Sequence, residues 1–222
     1  MLAPEQPPLS QRLRQVTAAH HTQVERSGPM PALLRGELGR SAYCALLRNL
    51  HPIYHELEKA LTQHAAHPGL AGLDIEGLPR CAALEADLAT LHGDGWADAL
   101  PLVDAAAGYA ARLRELSASR PELLLAHVYV RYLGDLQGGQ ILQRIVARCF
   151  ALDGETGTRF YRFDAHAPAE LSARLRAALD GPSRDDATRA DIAREAEAAF
   201  LRHVDVFEAL PVGDAAALRV GG

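Results

Sequence analysis

The sequence predicts an all-α fold, and three observations carry that reading. Apolar residues recur at i, i+3 and i+4 over long segments; strand-like alternation is confined to the short "RFYRF"; and no internal repeat with a period of about 20 to 50 residues is present. At 222 residues, 48% hydrophobic and 23% charged, the chain has an ordinary globular balance and enough length to bury a substantial core, so a single domain is expected.

Residues 1–9 are proline-rich and predict a flexible N-terminus, followed by a helical domain over 10–210 and a loose tail at 211–222. The first helix spans about 10 to 27, with Ser10 as its cap and Leu13, Val16, Thr17, His20, His21 and Val24 along one stripe; "SGPMP" ends it. A second runs from about 41 to 64, capped by Ser41, with Leu46, Leu47, Leu50, Ile53, Tyr54 and Leu57 on one face and Pro52 placed to bend it. Residues 65–78 read as a loop, and helical segments follow near 79–92 and 97–117. The best defined helix starts at Pro121, a residue favoured in a first turn, and continues to about 150. "DGETGTRFYRFDAHAP" reads as an irregular crossing before two more helices near 168–180 and 183–210.

Charge and composition exclude several classes. A net charge of -5 gives no reason to expect nucleic acid or an anionic membrane as a partner. Of the 23 basic residues only Lys59 is a lysine, so an anion-binding site here must use guanidinium groups or backbone donors. Cys44, Cys81 and Cys149 are far apart and lack CxxC spacing, which argues against a disulfide framework or zinc site and for a reducing, cytoplasmic location. No leader-like N-terminus, no uncharged apolar run of membrane-spanning length and no apolar tail in "DAAALRVGG" are found, so a soluble protein without a membrane anchor is expected.

The stretch "YLGDLQGGQIL" places Gly134, Gly138 and Gly139 inside a helix, where each glycine costs about 1 kcal/mol relative to alanine. Gly134 and Gly138 share a face, with Gly139 beside them. Two readings fit: a neighbouring helix packed tightly against the groove, or a flat rigid ligand lying against bare backbone. Asp135, set among Leu133, Leu136, Ile141 and Leu142, needs water, a cation or a polar partner. On the first helix His20 and His21 both lie on the apolar stripe, and either can be a satisfied core residue. Only His21 has a carboxylate four residues on, Glu25, able to accept the ring proton that a metal ligand does not use; His20 has Val24 there. His21 is the better candidate ligand.

These residues carry a resemblance. "PELLLAHVYVRYLGDLQGGQIL" is similar to the distal-helix motif of haem oxygenases, "AHHTQVERSGPM" to that family's proximal segment, and "AFLRHVDVFEAL" to its last core helix. The three occur in the family's order, so the resemblance covers about residues 10–210. It implies haem b, both cofactor and substrate, held between a proximal helix and a kinked distal helix. The implied activity is oxidative cleavage of haem to biliverdin, ferrous iron and carbon monoxide, with O2 as oxidant. The chain has no dinucleotide or flavin motif, so electrons are expected from an external reductase or ferredoxin. A non-catalytic haem carrier of the same fold is the alternative reading.

Position by position, the resemblance implies His21 as the axial iron ligand, oriented by Glu25, with Gly134, Gly138 and Gly139 letting backbone approach the macrocycle. Asp135 matches the distal carboxylate that organises water beside bound oxygen, and Tyr54, Tyr109 and Arg131 match positions that extend its network. Tyr109 equally suits plain helix packing with one hydrogen bond. Arg14 stands where the family has a lysine, and Tyr129 matches another propionate-contacting position. Counting back from "AFLRHVDVFEAL" selects Arg176 over Arg174 as a further propionate partner. Met30, Phe200 and Phe207 match apolar contacts to the ring. Gln137 and Val128 replace small residues, and His203 stands where some relatives have asparagine, a departure that bears on the distal network. The resemblance is to the soluble bacterial branch.

Overall fold

The computed structural model describes residues 7–153, 156–181 and 184–212. Among them are ten α-helices and no strand: α1 Leu9–Glu25, α2 Met30–Arg35, α3 Arg40–Gln63, α4 Cys81–Leu91, α5 Trp96–Ala99, α6 Asp104–Ser119, α7 Leu124–Val128, α8 Gly134–Cys149, α9 Pro168–Leu179 and α10 Asp186–Glu208. The apolar stripes meet as their periodicity requires. α1 packs along α10, and α3 packs against α6 and α4, with Leu47, Ile53, Tyr54 and Leu57 wholly buried.

Several local expectations are corrected. The helical domain begins at Leu9, which is fully buried, so the N-terminal edge of the core lies inside the stretch expected to be flexible. Ser10 is not a cap; its amide and hydroxyl donate to the Asp180 carboxylate at 2.8 and 2.7 Å, tying the start of α1 to the end of α9. Gly39, not Ser41, precedes α3, which runs unbroken through Pro52. The segment expected to be helical over 97–117 is split into α5 and α6. Asn49 pins the joint, donating to the Pro101 carbonyl at 3.0 Å and accepting from the Val103 amide at 2.8 Å. "RFYRF" holds a single 3-10 turn, Arg159–Tyr161, not a strand. The remainder of the expected loose ends, residues 1–6 and 213–222, lies outside the described residues.

Two long-range carboxylates set the pieces that matter for the site. Glu58 on α3 accepts the amides of Arg80 and Cys81 at 2.5 and 3.1 Å, capping the start of α4 with a side chain 22 residues away. Asp87 on α4 is wholly buried and accepts the amides of Arg159 and Phe160 at 2.9 and 2.8 Å, which holds the crossing segment in place. Burial pushes the Asp87 carboxyl up to about 6, even though those amides work the other way.

The short α2 was not legible behind "SGPMP". Gly28 and Gly36 explain how it is turned. Gly28 has φ +47, and a Cβ there would fall 2.0 Å from the Phe207 carbonyl oxygen, so only glycine lets the α1–α2 corner press on the end of α10. Gly36, at φ +72, closes α2 in the left-handed conformation.

The expected single helix over 121–150 is four pieces. A 3-10 turn at Pro121–Leu123 leads into α7, a π-helical turn occupies Tyr129–Leu133, and α8 starts at Gly134. A π turn is a widened coil that recurs at functional sites, and here it sits immediately before the glycine-rich stretch.

Candidate active site

Gly134 and Gly138 border a cavity of about 340 Å³, within the range of roughly 300–1,000 Å³ typical of small-molecule and cofactor sites. A Cβ built at either glycine meets nothing within 4 Å. No neighbouring helix fills the space in front of them, which removes the tight-crossing reading for these two. Gly139 differs: its Cβ would touch the Tyr161 ring at 3.5 Å, and it does not line the cavity. Its placement with the ligand-facing glycines is corrected; a one-residue step on a helix turns the side-chain direction by about 100°, here toward Tyr161.

The facing wall comes from α1. His21 and Glu25 both line the cavity, with His21 Nδ1 3.5 Å from Glu25 Oε1 and the ring edge-on to Phe200 at 6.1 Å. This leaves His21 Nε2 without a protein partner among the described residues. His20 points elsewhere, toward Glu197 of α10 at 3.8 Å, and is not a lining residue. Met30, Phe200 and Phe207 line the cavity, and so do Leu46, Leu50 and Phe160.

Across from α1 lies a buried polar cluster. Arg131, in the π turn, donates from Nε and one terminal nitrogen to the Tyr54 hydroxyl at 2.9 and 2.5 Å, and from that same nitrogen to Asp135 Oδ1 at 3.4 Å. Tyr54 donates to Asp135 Oδ2, and the other terminal nitrogen of Arg131 meets His203 Nε2 at 3.2 Å. Arg131, Asp135 and His203 line the cavity; Tyr54, wholly buried, stands behind them. Burial raises the Asp135 carboxyl above its ordinary range, opposed by the Arg131 charge, the Tyr54 hydroxyl and Arg80. Burial works against the Arg131 charge as well, but Tyr54 and Asp135 outweigh it and keep the guanidinium protonated. The Tyr54 hydroxyl is pushed well up, chiefly by burial, and stays a donor.

The remaining candidates lie outside the lining. Tyr109 is a packing residue, its hydroxyl 2.9 Å from His127 Nδ1 and its ring 5.0 Å from that of His203. Arg14 is exposed on α1, and the Tyr129 hydroxyl lies 3.2 Å from Thr17 Oγ1 on the same helix. Arg174 is engaged with Glu170 and Asp74, whereas Arg176 is exposed with no ion pair to a described residue. A larger cavity of about 520 Å³ beside residues 73–79 is lined by Glu58, Asp74 and Glu76, with no imidazole or guanidinium in its wall, and offers none of this chemistry.

The chain as a whole resembles known proteins. The family model described as "Heme oxygenase" matches residues 7–209. The chain belongs to the haem oxygenase family. It is 37% identical over 203 residues to "Heme oxygenase 1" of Nostoc sp., covering 91% of this chain and 85% of that relative. The crystal structure of heme oxygenase-1 from the cyanobacterium Synechocystis sp. in complex with heme superposes with a TM-score of 0.85 at 34% identity, over 90% of this chain and 91% of that one. Heme oxygenase from Leptospira interrogans gives a TM-score of 0.87 at 31% identity, over 92% and 100%. The all-α fold expected for a haem oxygenase is thus the fold observed. His203 is the lining residue whose partner no local pattern in the sequence could indicate.

Proposed function

We propose that this chain cleaves haem oxidatively to biliverdin, ferrous iron and carbon monoxide, using O2 and electrons from a separate reductase or ferredoxin. The observation that carries the reading is the open space before Gly134 and Gly138, facing His21 across one cavity. With one free imidazole nitrogen in that wall, a bound iron must bring its other ligands with it, as a porphyrin does. The residues therefore fit the group: His21 Nε2 would hold the metal, Glu25 would orient the ring through Nδ1, and the bare backbone of α8 would admit a planar macrocycle. Bound haem supplies both the iron that activates O2 and the ring that is opened.

The chain's own part is placement and proton handling. Arg131 fixes Tyr54 and Asp135, and the Asp135 carboxyl, its proton affinity raised by burial, can hold and pass on a proton at the cavity wall. Met30, Phe200 and Phe207 give the cavity an apolar lining. A carrier needs His21 but not this cluster, which favours the enzyme reading. Arg14, Tyr129 and Arg176 supply propionate contacts at the edge where α9 packs on α1 and the π turn. Cytoplasmic placement fits free Cys44, Cys81 and Cys149; no helix among the described residues is long and apolar enough to cross a membrane.

Hemin titration followed by aerobic turnover with a reductant and product chromatography tests this. A stoichiometric histidine-ligated complex that yields biliverdin is the expected result; no complex, or a complex whose haem stays intact, overturns it.

A further inference from the structure

Arg131 has three nitrogens and its partners take all of them. Nε and one terminal nitrogen reach Tyr54, that same terminal nitrogen reaches Asp135, and the other meets His203 Nε2 at 3.2 Å. A guanidinium only donates, so Nε2 must offer its lone pair and the ring proton must sit on Nδ1. His203 is 1% exposed, and its Nδ1 is buried without a partner among the described residues. The chain tolerates an unsatisfied N–H there while keeping the Nε2 contact.

We infer that His203 is a positioning residue: as a neutral acceptor it holds the Arg131 guanidinium in the plane from which Tyr54 and Asp135 are reached. The same bond occupies the imidazole's lone pair, so His21 is the cavity histidine left with a lone pair to offer a metal. The surroundings keep His203 in this role. Arg131 faces it from the π turn, the Tyr109 ring from α6, and His127 from α7 through the Tyr109 hydroxyl, while Phe207 covers it from α10. Glu195, on the same helix, is taken by His127 and Arg112. No anion faces the ring, and burial, Arg131 and His127 together hold its pKa well below the usual histidine value.

Nitrogen NMR of the ligand-free chain reads the tautomer directly. The expected spectrum has a protonated Nδ1 and a hydrogen-bonded, unprotonated Nε2 for His203 at neutral pH; an Nε2–H tautomer or an imidazolium overturns the inference. A second arm rests on the proposed function. His203→Leu, which removes the acceptor, is expected to lower kcat about tenfold with hemin affinity within about twofold, and His203→Asn, whose amide oxygen can accept from Arg131, to recover most of the loss. Equal kcat in the leucine variant and the native chain overturns the inference. Should the leucine variant fail to fold, the spectrum of the native chain decides alone. If the native chain makes no biliverdin, the functional reading falls while the spectrum still decides the role of His203.

Discussion

The two walls of the cavity use similar chemistry in opposite settings. On α1 the His21 and Glu25 side chains are 57% and 50% exposed and meet through one contact of 3.5 Å. On the other side Arg131 and Asp135 are each 11% exposed and share Tyr54, with His203 joined through Arg131. An imidazole left in water keeps a nitrogen ready for a metal. A carboxylate taken out of water keeps its proton to a higher pH and is held to one geometry. Binding and proton handling are therefore separated by burial as much as by residue type.

Removing the binding side gives the largest expected effect. His21→Ala is expected to lose the histidine-ligated hemin spectrum and all measurable turnover, while the melting temperature moves by less than about 2 °C because the side chain is exposed. An unchanged spectrum would move the ligand role to another residue. Removing the carboxylate opposite is expected to separate the two functions: Asp135→Ala retains stoichiometric hemin binding but forms biliverdin roughly a hundredfold more slowly. Normal yield in that variant would take Asp135 out of the chemistry.

The glycines sharpen the comparison between space kept open for a ligand and space filled by protein. Gly138→Leu is expected to weaken hemin binding about tenfold by placing a side chain in the cavity. Gly139→Ala, whose Cβ only touches Tyr161, is expected to leave affinity unchanged. Equal effects at both positions would refute the assignment of the open face.

Burial of the neutral histidines sets a pH dependence. His203 and His127 both have folded pKa values below the unfolded one, so the unfolded chain binds protons first as pH falls, and the stability they contribute is present above about pH 6.5 and lost below it. His203→Asn is expected to remove roughly 1.4 kcal/mol per pH unit of that slope below about pH 6, measured by denaturant titration. The smallest effect belongs to the exposed rim. Arg176→Ala is expected to weaken hemin binding about threefold, an effect reduced by salt, and Arg174→Ala to leave it unchanged.

Much of the site was legible because its decisive signals are local. The i, i+4 spacing of His21 and Glu25 separated His21 from His20, and the glycines on one helical face pointed to bare backbone. What failed depended on distant contacts. Ser10 looks like a cap until Asp180, 170 residues on, is known to claim it. Leu9 follows a run of prolines yet is buried in the core. Pattern set Gly139 beside the face of Gly134 and Gly138, and only the crossing segment, pinned by Asp87, brings Tyr161 against it.

By itself the sequence determined the helical periodicities, the spacing of the glycines and the histidine–carboxylate pair, because a helix converts sequence interval into direction at a constant angle. Only the tertiary structure decided that Arg131 is held by Tyr54 from 77 residues before it and by His203 from 72 residues after it. Hydrogen-bond partners at such separations are chosen by which helices pack together, and no local interval encodes that.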